Sequence, residues 1–165
     1  MKKNISLIGM PAVGKSTVGV LLAKKLGFGF MDTDIVIQTE EDRTLAQIIA
    51  DQGLDAFLDI EKKHVMGVDC DQHVIATGGS VIYKEEAMAH LAEISTIVYL
   101  AIDLDTLMTR LSDVTARGVA IGPGKGMGDL YKERTPLYEK YCGIRVDCGA
   151  MRPDEVVAAV LKQVS

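Results

Sequence analysis

The chain has no tryptophan, only three cysteines and no run of lysine or arginine. The cysteines, at 70, 142 and 148, lack C-x₂-C spacing, which favours reduced thiols over a disulfide framework or a zinc site. With a net charge of −5, nucleic acid is disfavoured as a partner, because binding a polyanion needs a basic face. No apolar run approaches the roughly 18 residues of a membrane helix, and residues 1–3 lead directly into the first predicted strand. We therefore expect a cytoplasmic protein that binds neither nucleic acid nor membrane.

A glycine-rich segment between an apolar run and a helical pattern dominates the rest of the chain. Residues 9–17 read GMPAVGKST, follow the apolar run 5–8 and precede a helical pattern over 17–26. Strand, glycine loop and helix in this order form the context of a Walker A phosphate loop. Backbone N–H groups in such a loop point at phosphate oxygens, and the helix N-terminus adds partial positive charge. The segment predicts a nucleotide-binding site.

The residue types in this loop suit separate parts of a nucleotide. Lys15 can reach the β- and γ-phosphates, and the Ser16 hydroxyl can ligate Mg²⁺. ATP and Mg²⁺ are therefore the predicted cofactors. The predicted cofactor-binding residues of the loop are Met10, Pro11, Ala12, Val13, Gly14, Lys15, Ser16 and Thr17.

Apolar segments alternate with helical patterns along the chain. Strands are predicted over about 4–8, 28–31, 74–77, 96–100 and 144–146. Helices are predicted over about 17–26, 45–51, 54–67, 84–92, 104–111, 129–141 and 153–164. Such alternation is typical of a parallel sheet with helices on both faces. We predict a single domain over 1–165, with a three-layer α/β/α P-loop kinase fold around a five-stranded parallel sheet.

The segment 115–129 has a different composition. It contains five glycines and one proline, together with Arg117 and Lys125. We predict a flexible loop here rather than a helix or strand. A loop of this kind suits a lid, over about 114–128, that closes on the site and excludes water.

Two acids follow the second predicted strand. Asp32 and Asp34 differ by two positions, so an extended segment would place both side chains on one face. One could orient Mg²⁺ through water while the other accepts the proton of a substrate hydroxyl. The alternative is that both acids only cap the following helix. The chain has no Asn-Lys-x-Asp for reading guanine, so phosphoryl transfer to a small alcohol suits these motifs better than GTP hydrolysis.

These motifs resemble the shikimate kinase family over nearly the whole length. The matching segments are Gly14-Lys15-Ser16-Thr17, Asp32-x-Asp34, Thr77-Gly78-Gly79, Arg117 in the lid, and Glu133-Arg134-Thr135-Pro136-Leu137-Tyr138. The resemblance implies ATP- and Mg²⁺-dependent transfer of a phosphoryl group to a hydroxyl of a small carboxylate-bearing metabolite. The implied reaction is shikimate to 3-phosphoshikimate, catalysed by a monomer.

The resemblance also implies roles for individual residues. Asp32 would join Ser16 on the magnesium side, while Asp34 would act as the base and hold the substrate. Catalysis would fall to Asp34, Lys15 and Arg117, with Arg117 stabilising the transferred charge. Additional cofactor-binding residues would be Arg110, Arg117 and Arg152. The substrate-binding residues would be Asp34, Phe57, Leu58, Glu61, Gly78, Gly79, Ser80 and Arg134.

The chain departs from the family pattern on the substrate side. Where the family shows Gly-Glu-x-x-Phe-Arg-x-x-Glu, residues 53–61 read GLDAFLDIE, so Leu54 and Leu58 replace a glutamate and an arginine. Ser80 replaces the third glycine of Gly-Gly-Gly. Losing that arginine removes a charge-assisted bond worth roughly 1.5–3 kcal/mol, and it leaves Glu61 without its expected partner.

These departures leave three interpretations open. Shikimate could still bind, with Arg134 and a lysine holding its carboxylate. Alternatively, the pocket could take another small alcohol, and an unpaired Glu61 would suit an amino alcohol such as homoserine. The third interpretation is a nucleotide-binding regulator that has lost turnover.

Overall fold

A buried central strand organises the sheet. The computed structural model describes residues 4–112 and 122–164. Strand β1 (Asn4–Ile8) is buried at all of its positions. The other strands are β2 (Gly29–Asp32), β3 (His73–Ala76), β4 (Ser95–Ala101) and β5 (Ile144–Asp147). Their order is β2-β3-β1-β4-β5, and every neighbouring pair is parallel.

Helices cover both faces of this sheet and connect its strands. They are α1 (Lys15–Leu26), α2 (Thr33–Glu41), α3 (Leu45–Gln52), α4 (Leu54–Met66), α5 (Glu85–Ile94), α6 (Leu104–Ser112), α7 (Met127–Tyr141) and α8 (Pro153–Val164). A short 3₁₀ turn, Val81–Tyr83, follows β3. The predicted three-layer α/β fold with a five-stranded parallel sheet is confirmed.

Two apolar clusters form the interior. The larger one surrounds the sheet, where β1 and β4 are buried on both faces because helices cover both. The smaller one consists of Ile37, Ile48, Phe57 and Leu58, which come from α2, α3 and α4. These three helices lie between β2 and β3 in the chain. The smaller cluster therefore fixes the position of the helices that follow the acid pair.

One helix and one helix boundary differ from the prediction because of helix capping. The sequence analysis assigned no helix to 33–41, but the Asp32 side chain accepts hydrogen bonds from the Asp34 and Ile35 N–H groups and begins α2. Similarly, α7 begins at Met127 rather than 129, because the Asp129 carboxylate accepts from the Gly126 N–H at 2.9 Å. The last two residues of the predicted lid, 127 and 128, thus lie in α7, and residues 113–121 lie outside the described residues.

The structure can also be compared with the composition in its helix lengths and its cysteines. Over 4–112 and 122–164, no helix has both the length and the apolar character needed to cross a membrane. The thiols of Cys70, Cys142 and Cys148 form no disulfide among the described residues.

A buried asparagine joins three segments at the start of β1. Asn4 is 1% exposed, and its Nδ2 donates to the Cys70 carbonyl at 2.6 Å and the Ile94 carbonyl at 3.1 Å. Its Oδ1 accepts from the His73 N–H at 2.9 Å. The side chain thus ties the end of α5 and the start of β3 to the central strand.

We expect Asn4→Ala to lower the free energy of unfolding by about 2–4 kcal/mol, because it leaves several buried backbone groups without partners. Urea denaturation measures the change. Lys24→Ala, on the exposed face of α1, is the control and should stay within about 0.5 kcal/mol of the wild type. Equal midpoints for both variants would contradict this role.

Candidate active site

The phosphate loop leaves β1 and ends at the N-terminus of α1. Gly9 and Gly14 have φ angles of 148° and 104°, where residues with a Cβ are strained. A Cβ on Gly9 would also lie 2.7 Å from the Leu100 carbonyl oxygen. The loop conformation therefore requires glycine at both positions.

Lys15 is held within the loop by backbone carbonyls. Its Nζ donates to the carbonyl oxygens of Gly9 and Met10 at 2.8 and 2.9 Å. Burial lowers its pKa to about 8, an effect that the nearby Asp34 carboxylate opposes. The loop therefore presents a single buried ammonium group beside its backbone N–H groups.

The two predicted metal ligands meet across the start of α1 and the end of β2. The Ser16 hydroxyl donates to Asp32 Oδ2 at 2.6 Å. Mg²⁺ takes oxygen ligands, keeps several waters and often binds through one or two protein groups plus phosphates. A hydroxyl and a carboxylate in contact fit this chemistry. No cluster of three or more acidic, histidine or cysteine side chains suited to a metal occurs among the described residues.

Asp34 lies in the first turn of α2, not in the extended segment that the sequence analysis expected. Because Asp32 caps this helix, the chain turns between the two acids, and the expectation of a shared extended face is wrong. Burial, followed by the Asp32 charge, raises the pKa of Asp34 to about 6, while Lys15 opposes the shift. Oδ1 of Asp34 is buried and has no hydrogen-bond partner among the described residues.

Glu61 has a partner that the sequence analysis did not foresee. This carboxyl is 2% exposed, and its Oε2 accepts from the Ser80 hydroxyl at 2.8 Å. Ser80, which stands where the family pattern has a third glycine, thus pairs with Glu61. The sequence predicted that Glu61 would have no partner, because Leu58 stands where the family pattern has an arginine. Oε1 has no partner within the described part of the chain. Burial raises the pKa of Glu61 to about 8, although the Ser80 hydrogen bond opposes the shift.

Two glycines after β3 allow these groups to come together. A Cβ on Gly78 would lie 2.6 Å from Glu61 Oε1 and 2.7 Å from Asp34 Oδ1. A Cβ on Gly79 would lie 2.9 Å from Arg134 Nη1 and 3.1 Å from Pro11 Cδ. The turn therefore contacts the phosphate loop, both acids and Arg134, and any side chain here would separate them.

Arg134 comes from α7 and is 1% exposed. Its Nε donates to the Tyr83 hydroxyl at 3.1 Å, and its guanidinium carbon lies 5.2 Å from the centre of that ring. One turn later, the Tyr138 hydroxyl donates to the Gly79 carbonyl at 2.6 Å. Phe57 and Leu58 lie in the smaller apolar cluster.

The family assignment follows from comparison with known proteins. A family model described as shikimate kinase matches residues 11–165. The chain belongs to the shikimate kinase family. Curated shikimate kinases of Thermodesulfovibrio yellowstonii and Streptomyces coelicolor are 35% and 38% identical to it, over 98% and 97% of this chain and 94% of each relative.

Solved shikimate kinases have the same fold. The crystal structure of the Aquifex aeolicus protein gives a TM-score of 0.83 at 31% identity, covering 98% of this chain and 95% of that one. The Acinetobacter baumannii structure, in complex with shikimate, gives a TM-score of 0.86 at 25% identity, covering 99% and 93%.

The remaining predicted arginines differ in position. Arg110 donates from Nη1 to the Val13 carbonyl and from Nη2 to the Gly149 carbonyl, each at 3.0 Å, so it joins the phosphate loop to the segment before α8. Arg152 has a side chain that is 73% exposed and pairs with Asp154 at 3.1 Å. Arg117 lies outside the described residues.

Two residues outside the predicted site, Tyr83 and Lys125, contact Glu133. Tyr83 contacts the Arg134 guanidinium, and its hydroxyl donates to Glu133 Oε1 at 2.6 Å. Lys125 was noted only as part of the lid, yet its Nζ donates to Glu133 Oε2 at 2.6 Å. No motif marked either residue, because their roles depend on the way the 3₁₀ turn and α7 pack together.

We expect Glu61→Gln to gain stability relative to the wild type as pH rises. The raised pKa means that folded Glu61 stays protonated between about pH 4.5 and 8, whereas unfolded Glu61 has lost its proton. Wild-type stability from this group therefore falls over that window, by on the order of 3 kcal/mol, and glutamine does not titrate.

Urea unfolding at about pH 5 and about pH 8 measures the change in this difference. Glu93→Gln, at an exposed position on α5, is the matched control. A difference between Glu61→Gln and wild type that does not vary with pH would show that folded Glu61 is ionised throughout.

Proposed function

We propose that this chain transfers the γ-phosphoryl group of ATP to a hydroxyl of shikimate and so forms 3-phosphoshikimate. The supporting observation is the close approach of Asp34 to Gly78 and of Arg134 and the phosphate loop to Gly79. A base and a carboxylate-binding group are thereby placed beside the phosphate donor. Membership of the shikimate kinase family supports the same reaction.

The nucleotide side is formed by the loop and the end of β2. Loop N–H groups and Lys15 bind the phosphates of ATP, where the buried ammonium stabilises charge on the transferred group. Ser16 and Asp32 hold Mg²⁺, which neutralises phosphate charge when bound. Arg110 supports the loop and flanks the adenine together with Arg152.

The acceptor side is formed by α2, the glycine turn and α7. Asp34 accepts the proton of the attacking hydroxyl, and a pKa of about 6 leaves it ionised near neutral pH yet basic enough for that role. Arg134 binds the substrate carboxylate through its planar guanidinium. Gly78, Gly79, Ser80, Phe57, Leu58 and Glu61 shape the pocket around the ring.

The remaining parts of the proposal concern the lid and the state of the protein. Arg117 stabilises the transferred phosphoryl group when the lid closes. The chain works as a cytoplasmic, single-domain monomer, with a small molecule rather than a nucleic acid as its partner. The amino-alcohol alternative loses its motivation, because the Ser80 hydroxyl pairs with Glu61.

A coupled ADP-release assay with shikimate, homoserine and gluconate tests the proposal. We expect turnover of shikimate with a low Michaelis constant and little or no turnover of the others. Turnover of homoserine or gluconate, with no turnover of shikimate, would establish a different substrate. Tight ATP binding without turnover of any alcohol would establish the regulator.

We expect Asp34→Asn to lower kcat by about 10²- to 10⁴-fold, because it removes the base. ATP affinity, measured by fluorescence titration, should change less than about twofold, since Asp34 is assigned no contact with the nucleotide. Asp69→Asn, at an exposed position before β3, is the charge-matched control. Retention of full activity by Asp34→Asn would show that the base is misassigned.

A further inference from the structure

A pocket of about 180 Å³ lies beside Tyr83, one of the residues that hold Arg134. Of the residues that the structure describes, three leucines line it together with one cation and one carboxylate. The lining residues are Leu54, Leu58, Tyr83, Gly122, Lys125, Leu130 and Glu133. The leucines come from α4 and α7, and the charges lie on α7 and the segment before it.

A chain of hydrogen bonds connects this pocket to Arg134. Arg134 Nε donates to the Tyr83 hydroxyl at 3.1 Å, and that hydroxyl donates to Glu133 Oε1 at 2.6 Å. Lys125 Nζ donates to the other Glu133 oxygen at 2.6 Å. The Glu133 carboxylate therefore lies between the Tyr83 hydroxyl and the Lys125 ammonium, and the Tyr83 hydroxyl connects it to Arg134.

Helix α4 offers no cation on its side of the pocket. Leu54 and Leu58 are one helical turn apart and both line it, and Leu58 also packs in the smaller apolar cluster. A carboxylate has two oxygens that accept about four hydrogen bonds, and withdrawing it from water is costly unless it is paired. Among the described residues that line the pocket, Lys125 is the one cation, so a carboxylate that is held by Arg134 and reaches this pocket finds its second cation there.

We propose that Lys125 is this second cation, and that it binds the acceptor's carboxylate together with Arg134. The inference deepens the proposed function and rests on it. The Glu133 carboxylate holds the Lys125 ammonium at the edge of the pocket. A substrate carboxylate can take the same position, because it is the same chemical group. The side chains of Lys125 and Glu133 are 45% and 37% exposed, so the ion pair is weak and can be exchanged.

Lys125→Met tests this role in the coupled assay. We expect the KM for shikimate to rise about 10- to 150-fold, the range for losing one charge-assisted bond. The kcat and the KM for ATP should stay within about twofold, because ground-state and transition-state binding of the carboxylate weaken equally. Lys125→Arg keeps the charge and should restore most of the affinity.

Two controls separate carboxylate binding from a structural effect. Lys132→Met removes a charge from an exposed position of α7 and should leave every constant unchanged. An acceptor with a hydroxymethyl group in place of the carboxylate should show the same KM with the wild type and with Lys125→Met. Unfolding midpoints of all variants establish that they fold alike.

The possible outcomes separate the role of Lys125 from the proposed kinase activity on which it rests. Shikimate turnover with an unchanged KM in Lys125→Met would overturn the role of Lys125 and leave the proposed function standing. An equal rise in KM for the hydroxymethyl acceptor would overturn it as well, since the effect would not depend on the carboxylate. A wild type that phosphorylates no carboxylate-bearing acceptor would overturn both.

Discussion

The site depends on the close approach of side chains from four parts of the fold to one backbone turn. Gly78 and Gly79 leave room for Asp34, Glu61, Arg134 and the phosphate loop at distances that no Cβ would allow. Buried carboxylates and cations are costly unless they are near one another, so this approach determines whether the cluster can exist. The parallel sheet contributes by ending β1, β2 and β3 at the same edge.

The charge balance within this cluster explains the substitution at position 80. With leucine at 58, a buried Glu61 would leave both of its oxygens without partners at considerable cost. The Ser80 hydroxyl satisfies one oxygen, and burial keeps the carboxyl protonated by raising its pKa to about 8. In this chain, with leucine at 58, the buried Glu61 carboxyl is therefore held by a hydrogen bond from the neutral Ser80 hydroxyl.

Local patterns predicted much of the fold, including the glycine loop between β1 and α1. The buried strands, the glycine loop and the final helix at 153–164 carry strong local signals. Asp34 was expected in an extended segment but lies in the first turn of α2, because capping by Asp32 competes with strand extension. The partners of Glu61 and Arg134 could not be predicted, since Ser80 and Tyr83 reach them only through tertiary packing.

The smaller apolar cluster joins α2, α3 and α4. Ile37, Ile48, Phe57 and Leu58 pack with one another, whereas the nucleotide loop rests on the larger cluster around the sheet. Tyr83 packs against both clusters. Regions with separate cores can open separately, at a lower free energy than global unfolding. The buried apolar residues of α2 and α3 lie in the smaller cluster alone, whereas α4 also reaches the larger one through Val65. Local opening is therefore expected at α2 and α3 before the phosphate loop.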